Sequence, residues 1–146
     1  MIDLDNQTTL AVDLEALEKI AESLSTQEVE LIITDDETMR ELNAEYRDID
    51  SITDVLSFPM EAPFTEQPIF DIPLGSIIIA ESFVKEKAAE HGHTMQDELS
   101  LLFIHGMLHL LGFDHENDDG EMRAREKELI EQFDLPKSLI VRTEEY

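Results

Sequence analysis

The chain has 146 residues, no cysteine and five histidines, and its 35 acidic against 10 basic side chains give a net charge of −25. Such a length makes one ordinary domain, residues 1–146, with chain enough for a hydrophobic core. Disulfides and thiolate metal ligands are excluded, no apolar run is long enough to span a membrane, and the charge weighs against broad phosphate binding through Lys and Arg.

Met1-Ile2-Asp3-Leu4-Asp5 lacks the basic and apolar regions of a secretory signal, so a cytoplasmic enzyme with no membrane partner is expected. Ile2 to Leu4 reads as a short strand. Leu10, Leu14, Leu17, Ile20, Ala21 and Leu24 recur at helical spacing. Val29 to Ile33 is a compact β-branched run and reads as a strand. Thr34 or Asp35 can cap the next helix, with Met39, Leu42 and Tyr46 on its buried side. Thr53 to Phe58 reads as a strand stopped by Pro59. The segment from Pro59 to Pro73 holds four of the five prolines and reads as a loop, of a length that is often functional. Leu74 to Ala80 is a further apolar strand, followed by a helix from Glu81 to Glu90. Thr94 and Asp97 have the spacing of a capping box and start a long helix. The acidic stretch Glu116 to Gly120 leads to a last helix, Glu121 to Phe133, and the tail after Pro136 is polar. The order β-α-β-α-β-β-α-α-α predicts an α+β domain, a mixed sheet of about four strands packed with about five helices.

The long helix carries His105-Gly106-Met107-Leu108-His109-Leu110-Leu111-Gly112-Phe113-Asp114-His115, with three of the five histidines. In a helix running to Leu111, His105 and His109 stand on one face. Gly112 can take the left-handed conformation that ends a helix, and the turn would bring His115 back toward them. Three imidazoles facing one point describe an open zinc site that keeps a position for water or substrate, although imidazole also suits nickel, copper and iron. The metzincin proteases share this spacing but place a glutamate base after the first histidine, where this chain has Gly106. A helical glycine costs about 1 kcal/mol against alanine, so Gly106 is expected to leave room for a bulky substrate beside the metal. His91 and His93 flank Gly92 at a helix end, where favourable charge at a C-terminus accounts for His91. Lys85, Lys87, Arg123, Arg125 and Lys127 form either a local positive rim or solvated helix faces paired with glutamates such as Glu126.

The histidine block resembles the His-Gly-x-Leu-His-Leu-x-Gly-[Phe/Tyr]-Asp-His signature of the YbeY family of rRNA-maturation endoribonucleases. Two more blocks agree. Leu42-Asn43-Ala44-Glu45-Tyr46-Arg47 with Thr53-Asp54-Val55-Leu56-Ser57-Phe58-Pro59 is similar to the family's second block, and Leu74-Gly75-Ser76-Ile77-Ile78-Ile79 to its Leu-Gly-Asp-Ile-x-Ile strand. The resemblance implies a metal-dependent, single-strand-specific endoribonuclease acting in small-subunit rRNA 3′-end maturation and ribosome quality control. It implies one Zn²⁺ per chain on His105, His109 and His115, and Arg47 as a further catalytic residue. Its partners would be the small-subunit rRNA precursor and the ribosomal small subunit with its proteins. Ser76 stands where the family usually has aspartate, and Ser51-Ile52 where a basic residue and proline are common.

Arg47 has two readings, a fork for phosphate or an ion pair with Asp48, Asp50 or Asp54. Asp114 either orients a ligand as a hydrogen-bond acceptor or is an Asx-type turn residue. Two other functions compete with the nuclease. One is a different zinc hydrolase, such as a peptidase, which the missing glutamate argues against. The other is a ribosome-assembly binding factor with a mainly structural metal, whose acidic surface meets basic ribosomal proteins.

Overall fold

The computed structural model describes residues 2–59, 73–114 and 118–139. Along them run β1 (Ile2–Asn6), α1 (Leu14–Leu24), β2 (Val29–Thr34), α2 (Asp36–Arg47), β3 (Val55–Pro59), β4 (Gly75–Ala80), α3 (Glu81–His91), α4 (Met95–Leu110) and α5 (Glu121–Gln132). Four strands and five helices in this order match the α+β expectation. Local chemistry sets the helix starts. Asp13 caps α1 by accepting from the Ala16 amide at 3.2 Å, so Leu10 lies ahead of the helix although it is buried in the same core. Asp35 caps α2 at the Thr38 amide, 2.8 Å away, and that bond holds its carboxyl below the usual value. The capping box at α4 is complete: Thr94 Oγ1 accepts from the Asp97 amide at 3.0 Å, and the Thr94 amide donates to Asp97 Oδ2 at 3.3 Å.

The sheet has the order β1-β2-β4-β3. β1, β2 and β4 are parallel, and β3 runs antiparallel along β4 at the edge. Pro59 ends β3 opposite Gly75, a place an edge strand tolerates because one side of its backbone needs no ladder partner. The strand pleat divides the core. Leu31, Ile33, Ile77 and Ile79 face α1 and α4, whereas Ile78 and Ala80 meet Met39 of α2 on the other face. Tyr46, placed on the buried side of α2 by its spacing, is 61% exposed instead. The buried side of α2 carries Met39, a half-buried Leu42 and Asn43, and in the last turn Tyr46 meets Phe58 of β3 with most of its surface exposed.

α4 is the centre of the domain. Leu99 to Leu108 are all buried, as a helix apolar on every side must be. It packs on β3 and β4 and is flanked by α1, α3 and α5. Gly106 sits against the sheet, and a Cβ built there would stand 2.8 Å from Ile77 Cγ2. The glycine therefore lets helix and strand approach. It does not hold space beside a metal, and that expectation is corrected. At the other end Gly112 is left-handed, with φ +98°. Its amide donates to the His109 carbonyl at 3.0 Å and the Phe113 amide to the Leu108 carbonyl at 2.9 Å, a Schellman closure that turns the chain out of α4.

Candidate active site

His105 and His109 lie one helical turn apart at the C-terminal end of α4. His105 is 3% exposed and His109 half-buried, and their rings meet edge to face with Nε2 atoms 3.1 Å apart. On its other side His105 Nδ1 is 2.8 Å from Oε1 of Glu126 on α5. An ionised carboxylate only accepts, so this bond assigns the proton to Nδ1 and leaves the Nε2 lone pair toward His109. Glu126 Oε2 is buried without a partner. A carboxylate buried this way carries charge that a neutral ring answers only in part, and a cation beyond the imidazole would answer the rest. The spacing agrees, because two nitrogens bonded at about 2.0–2.1 Å to one tetrahedral ion stand about 3.3 Å apart. The residues present therefore fit a bound divalent ion. Among the described residues two imidazoles converge and no set of three metal-binding side chains does. His115, expected as the third ligand, lies outside the described residues.

The two rings open on a cavity of about 700 Å³ that Tyr46, Arg47, Asp54, Phe58 and Asp114 also line. Arg47 is the last residue of α2, and the chain behind it is fixed. Asp48 takes a left-handed conformation, φ 58°, and the buried Asn43 donates from Nδ2 to the Ser51 carbonyl at 2.9 Å. Asp50 is engaged by Arg40, Nε to Oδ1 at 2.7 Å, and that hydrogen bond holds its carboxyl below the usual value. Arg47 forms no ion pair among the described residues. Ser57 of β3 donates from Oγ to the Gly106 carbonyl at 3.3 Å, tying the strand wall to the histidine helix.

Sequence reasoning missed Glu126, which entered only as a glutamate that could pair with basic residues on a solvated helix face. Glu126 is 1% exposed and lies on the inward stripe Met122, Glu126, Leu129, Ile130 of α5. A carboxylate at a core position of a helical stripe is the signal that could have found it. Glu126 faces His105 at 2.8 Å, while Asp114, read as an orienting acceptor for the adjoining His115 or as a turn residue, lines the cavity beside a ligand that lies outside the described residues. His93 is also engaged elsewhere: its Nε2 is 2.9 Å from the buried Glu98, its Nδ1 2.9 Å from Ser138 Oγ, and its ring stacks on His91 at 5.9 Å. Of the basic residues read as a rim or as paired helix faces, Lys85 pairs with Glu81, Lys87 with Glu90 and Arg125 with Glu128 on their own helices. Ser76, where the family has aspartate, donates to Glu30 at 2.9 Å on the sheet.

A family model described as Endoribonuclease YbeY matches residues 2–134. A relative from Sulfurovum sp. strain NBC37-1, named Endoribonuclease YbeY, is 67% identical over 144 residues, 99% of this chain and 98% of the relative. One of the same name from Helicobacter pylori is 56% identical over 147 residues, 99% of each. The solution structure of TM1509 from Thermotoga maritima is similar at a TM-score of 0.59 and 29% identity, covering 91% of this chain and 89% of that one.

Proposed function

This chain belongs to the YbeY endoribonuclease family, and from that premise we propose that it cleaves the single-stranded part of a small-subunit rRNA precursor in the cavity around His105 and His109. As a family member it is a hydrolase of RNA phosphodiester bonds. The proposal assigns His105, His109 and His115 to one zinc ion per chain and Arg47 to the scissile phosphate. The observation that carries it is the line from Glu126 through His105 to His109, opening on a cavity that Arg47 shares.

Each of the chain's own groups then has a task. Glu126 keeps the proton on His105 Nδ1 and so presents Nε2 as an electron-pair donor. His109 offers a second Nε2 from the next turn of the same rigid helix. When bound, the zinc ion supplies Lewis acidity toward a phosphoryl oxygen. Arg47 is permanently charged, and its planar fork suits two phosphate oxygens, where it stabilises the negative charge that builds during displacement. With Asp50 held by Arg40, that charge is left for the substrate.

The reading extends to a place in the cytoplasm, to 3′-end maturation and ribosome quality control, and to the ribosomal small subunit as partner. There an acidic surface would be attracted to basic ribosomal proteins. The test is cleavage of a single-stranded RNA by zinc-loaded protein beside a His109→Ala variant purified identically. Cleavage by the parent alone is expected, and equal cleavage by both overturns the assignment. Cleavage by neither, with binding to ribosomal proteins kept, supports the assembly-factor alternative. A 2′,3′-cyclic phosphate on the product would identify the RNA 2′-hydroxyl as nucleophile.

A further inference from the structure

Few cations are available to hold a polyanion here. The chain has 10 basic against 35 acidic residues, and Arg47 is the one Lys or Arg among the described residues lining the cavity, beside Asp54 and Asp114. Non-specific RNA affinity normally comes from neutralised phosphates, so this cavity needs another source. It has one in its aromatic side chains. Tyr46 is 61% exposed, and the other exposed large apolar side chains among the described residues reach 46% at most. It adjoins Arg47 in sequence, lines the same cavity, and its ring lies 5.1 Å from that of Phe58, tilted by 58°. Phe58 belongs to β3, so an edge of the sheet steadies the tyrosine while most of its surface stays open to solvent. Ile49 and Ile52, in the loop that follows, are exposed as well, at 44% and 39%.

We infer that Tyr46, steadied by Phe58, is a stacking platform for one unpaired base of the RNA, placed so that the adjoining phosphate meets Arg47. Every base has a π-face, so such a platform grips single strands without a sequence code. A base locked in a duplex cannot reach it. The inference rests on the proposed cleavage of single-stranded RNA and gives that site its means of holding substrate.

The test uses zinc-loaded, full-length protein with two probes, a cleavable single-stranded oligoribonucleotide and a noncleavable counterpart, a 2′-O-methyl strand checked to stay intact through the binding measurement. Tyr46→Ala is expected to raise KM, and the Kd for the noncleavable strand, roughly tenfold to a hundredfold with kcat within about twofold, while Tyr46→Phe and Tyr46→Trp keep parental values. One abasic site in the strand should weaken parent binding and bring it close to the variant's. The parent's log Kd against log salt should be shallow, near the slope of about 0.7 that one phosphate contact gives on a single strand. Parental KM in Tyr46→Ala, equal losses in Tyr46→Phe, a fall in kcat alone, or a salt slope several times steeper would each overturn the platform. If the parent cleaves no RNA yet binds the noncleavable strand through Tyr46, the cleavage reading fails and the platform stands. If the parent cleaves and Tyr46→Ala is unchanged in both assays, the reverse holds.

Discussion

Two buried histidine–glutamate pairs stand in this domain, alike in chemistry and different in consequence. His105 meets Glu126 at 2.8 Å and His93 meets Glu98 at 2.9 Å, with all four side chains at most 4% exposed. They differ at the second ring nitrogen. That of His93 faces Ser138 Oγ at 2.9 Å, so both nitrogens are satisfied within the protein. That of His105 faces another imidazole nitrogen across 3.1 Å, at the wall of a cavity, and Glu126 keeps one oxygen unpartnered. A closed pair of this kind fastens the residues around Ser138 to the start of α4. The open pair turns its second nitrogen to another imidazole at a cavity wall, which is where a ligand for an external cation has to stand. The residue types do not distinguish the two roles. The neighbour on the far nitrogen does.

The largest effect is expected at His109, which can be removed without unbuttoning the core because it is half-buried. His109→Ala should lose zinc, counted per chain after dialysis, and with it RNA cleavage, while its unfolding midpoint in the metal-free state stays near the parent's. Retained metal would mean that the open pair is not the site. Next comes Glu126. Glu126→Ala removes the acceptor that fixes the His105 tautomer, and loss of such an orienting partner typically costs 10–100-fold in metal affinity. Competition against a chromophoric chelator measures this without any appeal to activity. Glu126→Gln, whose amide oxygen can still accept from Nδ1, should fall between the two. His93→Ala is the counterpart at the closed pair. It should leave zinc binding and the cleavage rate of folded protein unchanged, but take from the buried Glu98 carboxylate its 2.9 Å contact with His93 at a cost of about 1–3 kcal/mol. Thermal unfolding should register that as several °C. A metal defect in His93→Ala would mean that the closed pair serves the metal as well.

How much of this was legible beforehand follows from how far each signal reaches along the chain. The order of elements, the Thr94–Asp97 box, the placement of His105 and His109 on one helix and the turn at Gly112 are all local, set within a few residues by periodicity or backbone chemistry. Glu126 was misread because its partner is 21 residues away on another helix, and nothing within α5 says which face meets α4. Tyr46 differs for the complementary reason: helical spacing names a face, but only the tertiary fold says how far along that face other elements cover it. Gly106 was assigned to the substrate although its constraint is Ile77, on a strand distant in sequence. Gly106→Ala tests that reassignment. Overpacking against Ile77 costs about 1–3 kcal/mol and the gain in helix propensity returns about 1, so a modest net loss of stability is expected. In an Ile77→Ala background the same substitution should become neutral or stabilising. Equal losses in both backgrounds would show that Ile77 is not the obstacle.

The smallest effect belongs to an acid–base pair on the surface, and it calibrates the buried ones. Arg40 grips Asp50 with two hydrogen bonds, at 2.7 and 3.2 Å, a better fork than either histidine makes with its glutamate. Both side chains are more than half exposed, so water and salt compete for the charges. The hydrogen bond from Arg40, and then its charge, draw the Asp50 carboxyl below the ordinary carboxylate value. A carboxyl lowered on folding contributes stability that is present above its unfolded value, about 3.9, and is lost as the pH falls through the lower folded one. In urea unfolding, any gap between the parent and Asp50→Asn midpoints should therefore be small at neutral pH, shrink with added salt, and close in acid below the ordinary carboxylate range. His93→Ala should keep most of its loss under added salt, because its cost arises from a group shut away from solvent. If Asp50→Asn instead lowered the midpoint as far as His93→Ala, geometry rather than desolvation would govern the strength of these pairs. The contrast between the open and closed histidines would then have to be argued from bond angles and not from what each ring nitrogen is shielded from.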